Sequence, residues 1–391
     1  MINKDCAKVL VIQTKIVIKT KERSKMKIAF IGGRDIHKLG GIESYMYNLC
    51  TELVKMGHEP IVFCESDRDE IEQLNGFTVI HQKSINSKFW NKPYLGLKAI
   101  LKVSKEYPDI KVYHFNAAGP AFFGWVARLK GKKTIYEGHG LEWKRTKWSK
   151  RQQRILKMFD QSVIKYCTKY HMAVSQEQSD YWSQHLGIPF TTIPTAVNPP
   201  KTNINSNILE KFGLQQEEYY LYLGRLVQDK NPDFLIKAFC KAELPGRKLV
   251  MAGSNDTDPE YVSYLKGLAN EDVIFTGAVY GDDKEALLKY CKAFCIPSTI
   301  EGLAITLLEA MSYGKICIAS DITANKEGLG DNGIWVKPED VDSLRHALKF
   351  VDGNYNQLED NGKKNSERVK EIFLWEGVSR QYMSYINEIN R

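Results

Sequence analysis

Two glutamates stand eight residues apart in the segment Pro297-Ser298-Thr299-Ile300-Glu301-Gly302-Leu303-Ala304-Ile305-Thr306-Leu307-Leu308-Glu309-Ala310-Met311. The apolar run Phe294-Cys295-Ile296 before them reads as a strand, and a helix is expected to start near Ala304 to Thr306. Amides around Gly302, Leu303 and Ala304 would then face a phosphate or sugar, as helix N-termini do. Glu309 falls about one turn into the helix, among Leu307, Leu308, Ala310 and Met311. A carboxylate in such company wants a partner. A ribose diol is one that both its oxygens can hold. Glu301 precedes the helix, within reach of sugar hydroxyls. The plain alternative is that both glutamates only complement the helix dipole.

Three other segments carry chemistry. In Tyr222-Leu223-Gly224-Arg225-Leu226-Val227-Gln228-Asp229-Lys230-Asn231-Pro232, Arg225 ends a strand and Lys230 precedes a helix led by Pro232. Arg as a fork and Lys as a point charge can clamp a diphosphate; a solvated charged loop is the alternative. In Tyr136-Glu137-Gly138-His139-Gly140-Leu141-Glu142-Trp143-Lys144-Arg145, His139 ends a strand between glycines. A ligand can approach it there, and an imidazole moves protons near neutrality. The Gly32-Gly33-Arg34 … Gly40-Gly41 loop lets backbone approach a ligand closely. Its spacing is not Gly-x-Gly-x-x-Gly, and no Gly-Lys-Ser/Thr occurs, so alone it marks only a turn.

These loops need strands to hold them. Short β-branched runs alternate with helical patterns along the chain, which predicts parallel sheets of βαβ type. Strands are expected at 27–33, 60–65, 77–82, 111–115, 133–137, 170–174 and 190–194. After a Pro- and Asn-rich linker at Pro194–Asn207, a second series follows at 219–224, 248–252, 273–277, 293–297, 316–319 and 333–336. The first helix is expected from Gly41 to Met56, with Ile42, Tyr45, Met46, Leu49, Leu53 and Met56 on one stripe. The fold class is therefore α/β, with two doubly wound units in tandem. The first unit spans 26–198 and the second 199–372. A last helix in 373–391 is expected to cross back to the first unit. Strand C-termini of both units would then line one cleft, where ligands of open α/β sheets bind.

The 391 residues suit two domains, and no apolar run is long enough to span a bilayer. Residues 1–25 lack a small-residue cleavage site, and a strong strand starts right after Met26. They read as an extension, with Met26 as the natural start. The eight cysteines sit mostly in apolar stretches and include no Cys-x-x-Cys, so zinc-finger and redox motifs are excluded and a reducing cytosol fits. Cys291 and Cys295 would face together on one helix but lack a His partner. Charge is uneven: residues 1–200 carry a net +14 and residues 201–391 a net −6. That asymmetry points to an anionic partner on the first half.

Together the four segments resemble glycosyltransferase family 4, whose members adopt the GT-B fold of two Rossmann-like domains facing across a cleft. The likeness runs from Met26 through nearly the whole chain, and is most specific where Glu301 and Glu309 follow the Gly224-Arg225 … Lys230 segment. The opening Ile31-Gly32-Gly33-Arg34 … Gly40-Gly41-Ile42-Glu43 and the run His139-Gly140-Leu141-Glu142-Trp143-Lys144-Arg145 … Lys147-Trp148 look like a bacterial subgroup of surface-polysaccharide enzymes that includes rhamnosyltransferases. The resemblance implies a retaining transfer from a nucleotide-sugar donor. Arg225 and Lys230 would bind the diphosphate and Glu309 the ribose. Glu301, with the backbone at Gly302, Leu303 and Ala304, would hold the sugar. Gly40 and Gly41 would approach the diphosphate from the first domain, and His139 would sit near the reacting carbon. No cofactor or metal is implied. Asp67-Arg68-Asp69 and Asp256-Thr257-Asp258 have Asp-x-Asp spacing that this fold does not need. Asn198 falls at the hinge, where Pro194-Thr195-Ala196-Val197-Asn198 departs from the family's usual form.

The acceptor is read from the basic half. Between Glu142 and Lys157 stand seven cations and one acid, interleaved with Trp143, Trp148, Ile155, Leu156, Met158 and Phe159. Such a stretch suits an anionic bilayer or a polyprenyl-diphosphate-linked saccharide; a solvated helix face is the alternative. No nucleic-acid motif accompanies the charge. The expected place is the cytoplasm, peripheral on the inner face of the plasma membrane. Two other readings stay open: a nucleotide-sugar epimerase, which would need no acceptor, and a non-catalytic nucleotide-sugar-binding partner of a polysaccharide complex.

Overall fold

The structure is a computed structural model that describes residues 25–391, except 39, 88, 146, 147, 256 and 257. The extension before Lys25, Lys147 of the basic stretch, and Asp256 and Thr257 therefore lie outside the described residues.

Fourteen strands form two sheets among the described residues. The first holds β1 (Lys27–Gly32), β2 (Glu59–Ser66), β3 (Glu70–Leu74), β4 (Phe77–Lys83), β5 (Val112–Asn116), β6 (Lys133–Gly138), β7 (Tyr170–Ala173) and β8 (Thr191–Thr192). Their order is β3-β4-β2-β1-β5-β6-β7-β8, all parallel except the β3–β4 pair. The second holds β9 (Tyr219–Leu223), β10 (Lys248–Ala252), β11 (Val273–Gly277), β12 (Ala293–Ile296), β13 (Ile316–Ser320) and β14 (Ile334–Val336), in the parallel order β11-β10-β9-β12-β13-β14.

Alternate residues of each central strand feed opposite cores, as the pleat requires. Ile28 and Phe30 of β1 pack on one face, Ala29 and Ile31 on the other. Tyr219, Leu221 and Leu223 of β9 pack on one face, Tyr220 and Tyr222 on the other. Both faces carry helices, so these strands read as continuous apolar runs. The Asn75-Gly76 turn, with φ of 48° and 85°, folds β3 back onto β4. Sequence reading missed β3, although Asn-Gly is a strong hairpin signal. Its residues, Glu70-Ile71-Glu72-Gln73-Leu74, are mostly polar at a sheet edge, without the apolar run that marked the other strands.

The expected stripe of the first helix is realised in Gly41–Lys55, which buries Tyr45, Met46, Leu49, Cys50 and Leu53. Cys291 and Cys295 do not share a helix. Cys291 follows the helix Gly281–Tyr290 and Cys295 lies on β12, because the chain turns straight from one into the other.

The chain passes between cores twice. Ala196 belongs to the first domain's core and Val197 to the second's; Phe373 belongs to the second and Trp375 to the first. The two crossings are tied. Val197 N donates to Phe373 O at 2.8 Å, and Trp375 N donates to Val197 O at 3.2 Å. The helix Trp375–Ile389 then buries Val378, Tyr382, Met383 and Ile386 in the first domain.

Candidate active site

Strand order fixes where a ligand can sit. In the second sheet, β9 is flanked by β10 and β12, so the chain leaves it toward opposite sides. The loops after β9 and β12 diverge there and leave a crevice. These loops carry Arg225, Lys230, Glu301 and Gly302. In the first sheet the same reversal falls between β1 and β5. There the loop after β1 carries Gly40, and β5 ends at Asn116.

The second-domain loops are locked to each other. Asn231, held at φ 49°, donates to Pro297 O at 3.0 Å. Thr299 N donates to Asp229 O at 3.0 Å. Between them, the Lys230 ammonium donates to Glu301 Oε1 at 2.6 Å, as does the Ser298 hydroxyl. Lys230 and Glu301, assigned separate roles on the diphosphate and the sugar, are thus one ion pair, with side chains 21% and 10% exposed. The helix after them is Ile305–Ser312, with no side-chain cap from Ala304. Leu303 and Ala304 bury their side chains in the core. Glu309 pairs with Lys284 at 2.6 Å. Burial pushes the Glu309 carboxyl up even though Lys284 pulls it down. Burial would lower Lys284, but Glu309 and Glu285 together raise it. Sequence reading missed Lys284, since nothing local in Gly281-Asp282-Asp283-Lys284 marks it as a partner for a residue on another helix.

The first domain presents His139 and the glycine loop. His139 Nε2 meets Asn116 Oδ1 at 3.1 Å and Glu137 Oε2 at 3.2 Å. Glu137 is fully buried and also meets His114 Nε2 at 2.8 Å; His114 Nδ1 in turn meets the Tyr382 hydroxyl at 3.0 Å. Burial alone would raise Glu137, but the two imidazoles hold it down to about 2. The carboxylate therefore orients His139. The Tyr45 ring meets the His139 ring edge-on, 5.0 Å between centroids. Gly40 precedes the helix Gly41–Lys55 and supplies no side-chain cap. A Cβ at Gly40 would stand 2.0 Å from Glu43 Oε2 and 2.8 Å from Arg34 Nη2, so any other residue there must displace those side chains. Buried Glu43 uses its other oxygen to accept from Arg34 N at 2.6 Å. Nothing crowds Gly41 within 4 Å.

The two sets face each other. A Cβ on Gly302 would stand 2.9 Å from the His139 carbonyl oxygen and 3.3 Å from Gln178 Nε2. Gln178 is 2% exposed, and neither its amide nitrogen nor its amide oxygen has a hydrogen-bond partner among the described residues. Such a group needs an explanation, and a ligand hydroxyl in the crevice is one. Arg225 lies where burial lowers it, helped by the guanidiniums of Arg145 and Arg34 from the opposite domain. The repulsion is partly offset, since Arg34 lies 3.7 Å from Glu43, Arg145 lies 2.8 Å from Glu142, and Glu142 and Glu301 act on Arg225 in the opposite sense; an anion among the three would offset it further. Arg34, Arg145 and Gln178 were not singled out from sequence as donor-site residues; only the folded cleft brings them beside Arg225 and Gly302. Of the Asp-x-Asp residues within reach, Asp69 is committed to Lys98 at 2.5 Å and Lys83 N at 3.0 Å. Asn198 Nδ2 donates to Asn48 Oδ1 at 2.9 Å rather than facing the crevice loops.

Residues 39–201 match the family described as Glycosyltransferase Family 4, and residues 205–368 match Glycosyl transferases group 1. The chain belongs to glycosyltransferase family 4. Several relatives of this family 4 chain are similar along most of their length. An uncharacterised glycosyltransferase of Methanocaldococcus jannaschii is 27% identical, over 91% of this chain and 96% of its own. O-antigen chain mannosyltransferase C of Escherichia coli is 25% identical, over 88% and 93%. A D-rhamnosyltransferase of Pseudomonas aeruginosa is 23% identical, over 86% and 88%. Among solved structures, sucrose-phosphate synthase of Thermosynechococcus elongatus superposes with a TM-score of 0.80 at 19% identity, covering 93% of this chain and 99% of that one. HepE of Anabaena, solved with UDP and glucose, gives 0.76 at 16%, covering 93% and 100%. The fold of the family 4 chain is GT-B, two Rossmann-like domains across a cleft.

Proposed function

We propose that this glycosyltransferase moves rhamnose or a hexose, with retention of configuration, from a nucleoside diphosphate sugar to a polyprenyl-diphosphate-linked saccharide in surface-polysaccharide synthesis. The observation that carries the donor half is the convergence of Arg225 with Arg34 and Arg145 beside the Lys230–Glu301 pair. A departing diphosphate gains charge in the transition state, and preorganised cations at a strand end stabilise that charge. They take the load that a metal carries elsewhere, so the proposed transfer uses none. The uncapped N-termini of the helices Gly41–Lys55 and Ile305–Ser312 add amides from both sides. On this reading, Lys230 turns from Glu301 to the phosphate, and Glu301 is freed for sugar hydroxyls. Glu309 takes the ribose diol. His139, oriented by Glu137, contacts the sugar near the reacting carbon.

The acceptor half draws on the relatives' O-antigen and rhamnosyl chemistry and on the exposed face of the first domain. The helix Lys150–Ser162 displays Arg151, Arg154, Ile155 and Met158 on one exposed stripe. Trp143 and Phe159 of the same stretch instead pack on the core. Cations beside exposed apolar side chains suit an anionic bilayer on which a lipid-linked acceptor lies. No helix among the described residues is long and apolar enough to cross that bilayer.

The test is a panel of nucleotide sugars with a polyprenyl-diphosphate saccharide, the product anomer read by NMR. Arg225→Ala is expected to cut transfer at least ~100-fold. Full activity in that variant sinks the donor-site assignment.

A further inference from the structure

A second cluster lies at the far edge of the first sheet. His37 is on the loop after β1, Glu72 on β3 and His81 on β4. His37 Nε2 and His81 Nε2 both meet Glu72 Oε2, at 2.8 and 3.0 Å. One ligand atom from each of the three lies within 4.8 Å of the others. The two imidazoles are nearly parallel, at 12° and 6.0 Å between centroids. His81 is 6% exposed, and its Nδ1 faces the Cys64 sulfur at 3.6 Å, which fixes the ring from behind.

We propose that His37, Glu72 and His81 bind a divalent transition metal of the Zn2+ class, and that the ion pins the glycine loop to the sheet edge. Two imidazoles and one carboxylate form a donor set that such ions prefer, while Mg2+ and Ca2+ favour all-oxygen shells. A tetrahedral shell with bonds near 2.0 Å sets its ligand atoms roughly 3.3 Å apart. The hydrogen-bonded contacts of 2.8 and 3.0 Å need open only slightly to admit an ion. Open space of about 360 Å³ adjoins the cluster, lined also by Asp35, Asp67 and Glu70, and leaves room for a fourth ligand such as water. Arg68, on the same wall, is neutralised by Glu70 at 2.6 Å. The second imidazole anchor, the backing sulfur and the position of His37 make this more than a surface ion pair. His37 sits between Arg34 and Gly40, so its anchoring fixes the loop that brings both to the cleft.

The site itself is independent of the donor reading; the effect on the loop rests on that reading. The full chain, free of any affinity tag and dialysed against a chelator, is titrated with Zn2+ by calorimetry and with Co2+ by visible absorbance. We expect one ion per chain, with low-micromolar affinity or tighter, and the strong visible bands of tetrahedral Co2+. His37→Ala and Glu72→Gln, both at partly exposed positions, should melt like the parent and lose saturable uptake. No saturable uptake by the parent, or uptake that both variants keep, overturns the site. Arg225→Ala should still take up one Zn2+ while losing transfer, which separates failure of the donor assignment from failure of the metal site. The chelated parent should keep turnover with a raised donor KM. An unchanged KM overturns the pinning role.

Discussion

At Glu309 a partly buried carboxylate is held at 2.6 Å by Lys284. Glu309→Gln keeps the shape and removes the charge, so it strips a charged hydrogen-bond acceptor from the proposed ribose. We expect donor KM to rise about tenfold, equivalent to roughly 1.4 kcal/mol. Initial rates against varied nucleotide sugar measure it, and an unchanged KM removes Glu309 from the site. Asp160 offers a test that needs no substrate. Burial and nearby Glu142 push its carboxyl up to about 7, from an ordinary 3.8. The folded chain therefore holds a proton that the unfolded chain releases near pH 4. Stability from this group is greatest at low pH, falls as pH rises from about 4 to 7, and stays low above. Asp160→Asn should raise Tm at pH 8 by about 2 °C or more and give no such gain at pH 4. Equal shifts at both pH values in thermal melts would contradict the assignment.

At the scale of elements, Gly302 is the pressure point. Its hydrogen faces the His139 carbonyl, and a Cβ there would stand at 2.9 Å. Gly302→Ala forces the β12 loop away from the opposite domain. Transfer should fall at least about tenfold while Tm hardly moves, because the contact joins domains and does not fill a core. Parallel kinetics and melts check this; retained transfer means that the cleft closes without that contact. The β12 loop also shows what sequence could and could not tell. Its start was legible, since Phe294-Cys295-Ile296 followed by a glycine turn and an apolar helix has a single reading, and the helix begins at Ile305 within the expected range. The pairing of Lys230 with Glu301 was not, because 71 residues separate them and only the order β9–β12 sets their loops side by side. Lys284, Arg34 and Arg145 were hidden for the same reason. β3 was hidden differently: its edge position leaves Ile71 exposed, so burial never imposed an apolar run on it.

Across the whole molecule, positive charge gathers on one half, and that half carries the exposed stripe of Lys150–Ser162. Reversing Arg151 and Arg154 to glutamate should abolish flotation with anionic vesicles at low salt and leave donor turnover intact. The parent should itself detach as salt rises, since a Debye length near 8 Å at physiological strength screens such contacts. Parent protein that ignores anionic vesicles, or variants that still float, would remove the membrane from the reading. The paired crossings at Val197 and Leu374 carry a consequence for timing. A lone linker would let the domains tilt, yaw and spin, whereas two crossings tied by two backbone hydrogen bonds at a single bridge form a short ribbon that favours bending about one axis. Opening and closing then share one coordinate. On the proposed reading, the motion that admits a nucleotide sugar is the motion that releases the spent nucleoside diphosphate. A single hinge rate therefore sets the ceiling on both substrate capture and product escape, and loosening the ribbon cannot speed one without speeding the other.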